Sequence, residues 1–107
     1  MKMNYEIVLV TASNENEASN IAMDLLEKRP VACANAIHCI RSTYRWKGKI
    51  EDTQETLFLM KTRRTLFRKI VSRISKIHSY EVPEVLALDV TAGNVPHLEW
   101  LMKETKT

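Results

Sequence analysis

At 107 residues, with 45% hydrophobic and 27% charged side chains, the sequence describes one soluble domain, spanning 1–107, that can bury a core. It has no apolar run of about 18 residues, which excludes a membrane-spanning helix, and its net charge of +3 is only mildly basic. Its two glycines, Gly48 and Gly93, rule out a glycine-rich phosphate cradle. The opening "MKMNYEIVLVTA" is too short an apolar run for a signal peptide and reads as a strand, which favours the cytoplasm.

The first predicted strand covers 4–12, "NYEIVLVTA". Asn14 is placed to cap the helix that follows, with Glu17 three residues on in a variant of the capping box. Ala18, Ile21, Ala22, Leu25 and Leu26 give that helix one apolar face, and Pro30 marks its end. From Val31 to Trp46 no glycine or proline interrupts a long strand. Lys47-Gly48 supplies a tight turn, and "KIEDTQETLFLMKT" is a second long strand. Its Leu57 and Leu59 alternate with Phe58 and Met60, so both faces call for cover. In "RRTLFRKIVSRISKI" the residues Leu66, Phe67, Ile70, Val71, Ile74 and Ile77 form one helical core stripe. After the turn "HSYEVPE", "VLALDVTA" reads as a strand ended by Gly93-Asn94. A last helix over "VPHLEWLMKE" carries Pro96 in its first turn and Leu98, Leu101 and Met102 on one side.

The order β-α-β-β-α-β plus a helix is the ferredoxin-like split βαβ arrangement, an α+β fold with a four-stranded antiparallel sheet. The two long strands make a hairpin of about 45 Å, against a radius of gyration near ~13 Å for a domain of this size. The hairpin therefore overhangs its own core and exposes its edges, and pairing with further copies of the chain is the simplest remedy. Cys33 and Cys39, on one face of an extended strand, would lie roughly 20 Å apart. They cannot pair, and a reducing compartment fits. The basic residues concentrate in "KTRRTLFRKIVSRISK". Its one aromatic, Phe67, belongs to the apolar stripe and does not interleave with the charges, so this is read as a solvated helix face rather than a nucleic-acid surface.

The chemistry concentrates in His78-Ser79-Tyr80-Glu81-Val82-Pro83-Glu84. His78 is either a cap on the preceding helix, where a cation suits the dipole, or a site residue. Cys33 with His78 would make a thiolate–imidazolium pair or two metal ligands; otherwise Cys33 is a small buried side chain. Glu81 and Glu84, held around Pro83, are an acid–base pair or a solvated turn. Lys61 closes its strand, facing an anion or simply water.

Ala32-Cys33-Ala34-Asn35, the run Ser42 to Gly48, Lys61-Thr62, the run His78 to Glu84, Gly93-Asn94 and Trp100 together resemble the CutA divalent-cation tolerance family, in order and over nearly the whole chain. The resemblance implies a homotrimer, similar in architecture to PII signalling proteins, with long hairpins pairing between subunits. It implies a role in tolerance of copper and other divalent cations. The ligand cleft it implies is lined by Tyr44, Trp46, Lys61, Tyr80, Glu81 and Glu84, with His78 and Cys33 as metal ligands. Ser79 stands where the family usually has proline, and His97 where tyrosine is common. Val10-Thr11-Ala12 lacks a cysteine that some members carry as a proposed copper ligand. The cleft is thus expected to bind a divalent metal or a small anionic ligand. The alternatives are an enzyme using His78 or Glu84 as base, and a structural trimer that anchors a protein partner.

Overall fold

The computed structural model describes residues 4–106; residues 1–3 of the N-terminal stretch and residue 107 of the expected domain lie outside the described residues. The elements run β1 (Tyr5–Ala12), α1 (Glu15–Lys28), β2 (Cys33–Trp46), β3 (Lys49–Arg63), a 3-10 turn (Arg64–Leu66), α2 (Phe67–Ile77), β4 (Val85–Asp89) and α3 (Val95–Glu104). The four strands form one antiparallel sheet in the order β2-β3-β1-β4, which is the expected βαββαβ arrangement. Among the described residues no helix is long and apolar enough to cross a membrane.

Local chemistry sets the helix ends. The Asn14 side chain accepts from the Glu17 backbone N–H at 2.8 Å, satisfying an orphan donor of the first turn, and the Glu17 carboxylate reaches back to the Ser13 N–H, just ahead of the cap, at 3.0 Å. α1 ends at Arg29, whose φ of 74° is left-handed, directly before Pro30. Ala18, Ile21 and Leu25 of α1 and Ile70 and Ile74 of α2 pack on Val8, Val10, Ala12, Phe58 and Met60, the alternate residues of β1 and β3. This is the closed face of the sheet. The opposite face carries Ile7, Leu9, Leu57 and Leu59, only half-buried, flanked by the exposed Ile37, Leu86 and Leu88.

Pairing of β3 with β1 ends at Ala12↔Thr56, yet β2 and β3 continue together to Trp46↔Lys49. The far half of the hairpin is therefore two-stranded, and the molecule measures 44 × 26 × 22 Å. Lys47 (φ 47°) and Gly48 (φ 80°) both occupy the left-handed region, as a type I′ turn requires.

Four details differ from the sequence reading. β2 contains a bulge: Ile37 pairs with Leu57 and Ile40 with Glu55, so one extra residue is inserted, and Cys39 has a φ of 59°. The bulge breaks the alternation, so Cys33 and Cys39 do not share a face; both are free thiols. Its consequence is larger for the hairpin tip, because Tyr44 and Trp46 now fall on the same face as Cys33 and Lys61. β4 stops at Asp89 rather than running to Ala92; beyond it, among the described residues, the Val90 N–H donates to the Tyr5 carbonyl at 3.0 Å. Met102 of α3 is exposed, although Leu98 and Leu101 are buried. α2 itself starts at Phe67, its first turn being 3-10.

Candidate functional site

The turn after α2 is organised around one buried histidine. The His78 N–H caps the Ile74 carbonyl at 2.9 Å, so the residue does terminate the helix. Its ring is fully enclosed. Nε2 donates to the Thr11 carbonyl at 2.8 Å and Nδ1 accepts from the Tyr80 backbone N–H at 3.0 Å. A carbonyl can only accept and an amide N–H can only donate, so these partners define the Nε2–H tautomer. Both ring nitrogens are thereby used in holding the turn onto the end of β1.

Glu17 ties the same turn to α1. Its Oε2 accepts from the Ser79 N–H at 2.7 Å, while Oε1 takes the Ser13 N–H and hydroxyl. Burial opposes the charge, but the hydrogen bonds from Ser79 and Ser13 outweigh it and hold the carboxyl down at about 2. Tyr80 packs against His78 with ring centroids 4.7 Å apart and the planes tilted by 47°, and directs its hydroxyl to Glu55 Oε2 at 2.5 Å. Burial, then the Glu55 carboxylate, pushes the Tyr80 phenol well above its ordinary range, so it remains a donor. Glu55 is itself buried, at the position where the hairpin leaves the four-stranded sheet.

Tyr44, Trp46, Ser79, Tyr80, Glu81 and Val82 line a cleft of about 340 Å³ between hairpin and turn. Four of the expected cleft residues, Tyr44, Trp46, Tyr80 and Glu81, are thus brought together in one chain, with His78 directly behind them. Glu81 lies 3.9 Å from Lys47 at the hairpin tip, both well exposed, a contact of little energetic weight. Glu84 is exposed outside the cleft and makes no side-chain hydrogen bond or ion pair among the described residues.

Lys61 and Cys33 stand elsewhere. They are opposite one another on β3 and β2, with Lys61 Nζ 3.9 Å from Cys33 Sγ and in contact with Asn35 Oδ1. Lys61 is six strand positions from Glu55, roughly 20 Å along β3. Thr11, which holds His78, lies across from Leu57 and so from Ile37, four positions and about 13 Å from Cys33. Within one chain, then, His78 and Cys33 do not form the expected ligand pair. Nor is there any group of three His, Cys, Asp or Glu among the described residues that could hold a metal ion.

Two carboxylates central to this geometry carry little site signal in the sequence. Glu17 reads in sequence only as a capping residue. Glu55 is marked only by being a charge that enters an apolar strand, in "QETLFLM".

Comparison with known proteins gives a consistent picture. The model of a family described as CutA1 divalent ion tolerance protein matches residues 6–104. The chain is 41% identical over 100 residues to the divalent-cation tolerance protein CutA of Thermus thermophilus, covering 94% of this chain and 97% of that protein. It is 44% identical over 98 residues to protein CutA of Homo sapiens, covering 92% of this chain but 55% of the human protein, so it spans about half the length of that relative. Among solved structures, that of the Thermus thermophilus divalent cation tolerance protein superposes with a TM-score of 0.93 at 40% identity, covering 95% of this chain and 99% of that one. CutA1 from Oryza sativa gives 0.94 at 33% identity, covering 98% and 96%.

Proposed function

The chain belongs to the CutA1 divalent ion tolerance family, and from that premise we propose that it is a homotrimeric divalent-cation tolerance protein that takes up a copper-type metal ion at its inter-subunit clefts and serves metal homeostasis. The observation that carries this is the open face of the sheet. Leu57 and Leu59 are half-covered, and Ile37, Leu86 and Leu88 are at least half exposed. Burying one such side chain contributes about 1.5–3 kcal/mol, and a contiguous exposed apolar face supports reading it as an association surface. The two-stranded end of the hairpin supports the same reading, since it has no third strand within the chain. When such an edge meets a different element of the next copy the contact is heterologous, and the smallest ring it closes is three.

The cleft suits a cation better than an anion. Its one charged lining side chain is the carboxylate of Glu81, and a second carboxylate, Glu55, stands behind it through the Tyr80 hydroxyl. The described residues of one chain hold no complete ligand set, so in this reading donors from more than one subunit combine, with Glu81 the accessible one. His78 then acts on the cleft by holding Tyr80 rather than by ligation. The free thiols of Cys33 and Cys39 support a cytoplasmic setting.

The test is calorimetric titration of the reduced protein with copper(II) and zinc(II), with the mass checked in the same samples. The expected mass is three times the 12.4 kDa chain, with saturable binding that Glu81→Gln weakens. A monomer, or binding indifferent to Glu81→Gln and abolished by His78→Ala with the trimer intact, would return His78 to the role of ligand and overturn this assignment of the cleft.

A further inference from the structure

The helical side of the molecule, opposite the open face, carries a cationic groove that the cleft does not use. From Phe67 to Ile77, α2 has four cations and no acid. Lys69, Arg73 and Lys76 lie at i, i+4 and i+7, on one side of the helix. With Ser72 and with Lys28 of α1 they line a cavity of about 250 Å³ that reaches down to the buried Leu25. Asp24 fixes two of its walls. Arg73 donates to both Asp24 oxygens, at 2.9 and 2.8 Å, and Lys28 approaches the same carboxylate at 3.1 Å. Those contacts, that of Arg73 first, hold Asp24 ionised down to about pH 2.

Four cations, Lys28, Lys69, Arg73 and Lys76, against one carboxylate leave a local charge of +3, equal to that of the whole chain. Lys69 and Lys76 have no carboxylate within ion-pair distance among the described residues. Seven residues of helix separate them by about 10 Å, with the anchored Arg73 between. A single carboxylate or monophosphate reaches only one of these ammonium groups. A chain of linked phosphates presents charge along its length, and lysine and arginine are the side chains suited to it. A long nucleic-acid strand is less well served, because no aromatic side chain lines the groove for bases to stack on.

We propose that the α1–α2 groove is a binding site for an oligophosphate chain of two to three phosphates, with Lys69 and Lys76 engaging its ends and Arg73 and Ser72 its middle. The same chemistry is carried by free oligophosphate and by the phosphate chain of a nucleotide.

The experiment is calorimetric titration of the full chain with inorganic tripolyphosphate in metal-free buffer at about 0.1 M salt, where surface charges are partly screened. One ion per chain is expected to bind saturably. The double variant Lys69→Gln with Lys76→Gln should weaken it by about tenfold or more, the loss of two charge-assisted contacts. Both side chains are exposed, so the fold is kept, and matching thermal melts verify this. Lys103→Gln with Lys106→Gln, the same charge change elsewhere, should alter binding by less than about twofold. Asp24→Asn, which releases Arg73 and Lys28, should tighten it. ATP bound with the same dependence identifies a nucleotide's phosphate chain, and tripolyphosphate bound where ATP is not identifies a free oligophosphate; both support the site. No saturation by either ligand, equal affinity in the Lys69/Lys76 variant, or binding of an RNA oligonucleotide alone would overturn it.

Discussion

The two faces of the sheet are built from the same strands and almost the same residues, yet they are finished to different degrees. On the closed face Val8, Val10, Ala12, Phe58 and Met60 are at most 1% exposed, because α1 and α2 bring Ile21, Leu25, Ile70 and Ile74 onto them. On the open face Leu86 and Leu88 remain 56% and 54% exposed. Neighbours in sequence therefore have different fates: Phe58 points into a completed core, and Leu59 into a surface that one chain leaves unfinished. The closed face accounts for the stability of the chain on its own. In the proposed trimer, the open face would supply the driving force for association.

The adjacent pair Phe58 and Leu59 gives the sharpest test of that contrast. Phe58→Ala is expected to cost about 3–5 kcal/mol through lost burial and the cavity left behind. The loss should appear in urea unfolding at every protein concentration. Leu59→Ala is expected to act through assembly. Its unfolding midpoint should fall more steeply on dilution than that of the parent, and light scattering should detect smaller species. If Leu59→Ala leaves both the mass and the concentration dependence unchanged, the open face is not an interface and the contrast between the faces is one of degree only.

Glu17 extends the comparison to the turn that connects the two faces. Glu17→Gln removes the charge that accepts from Ser13 and Ser79 and is expected to destabilise by about 1–3 kcal/mol at neutral pH. The folded carboxyl titrates at about 2, below its ordinary value of 4.5. Its contribution is therefore complete above pH 4.5 and is lost as pH falls from 4.5 towards 2. The stability gap between parent and Glu17→Gln should close across that window in denaturation curves taken at successive pH values. A constant gap would mean that the hydrogen bonds matter only for their geometry.

Much of this architecture is legible in the sequence because it rests on local chemistry. Asn14 caps α1, Lys47-Gly48 turns the hairpin, and the spacing of Ile70 and Ile74 places α2, each through contacts a few residues away. The bulge at His38-Cys39 is not legible. Nothing in its residue types demands a left-handed backbone, and it shows only in the strand register, where Ile37 pairs with Leu57 but Ile40 with Glu55. Without it, Tyr44 and Trp46 would point to the other face, so the cleft depends on the least readable feature of the chain. His78 and Tyr80 stand out by their residue types. Their partners were not: Thr11 contributes a backbone carbonyl that any residue would offer, and Glu55 lies 25 positions from Tyr80. The separation of Lys61 and Cys33 from the cleft follows from strand register, which a motif does not carry.

The smallest effect concerns the buried carboxylate of the closed face. Glu6 pairs across β3 with Thr62, is buried, and its Oε1 has no hydrogen-bond partner among the described residues. Burial raises its carboxyl above the ordinary value; the Arg64 charge opposes this and the Asp89 charge adds to it. The sign is opposite to that of Glu17. A carboxyl raised on folding favours the folded state most when protonated, below its unfolded value of 4.5, and that advantage is lost as pH rises through the folded value. At neutral pH the ionised Glu6 is thus a cost to the closed face. Glu6→Gln removes the charge while keeping the shape, and is expected to raise stability at pH 7 by up to about 1 kcal/mol, with no gain at pH 4. A loss at pH 7 would show that attraction to Arg64 outweighs burial, and that the closed face is held at this edge by charge as well as by packing.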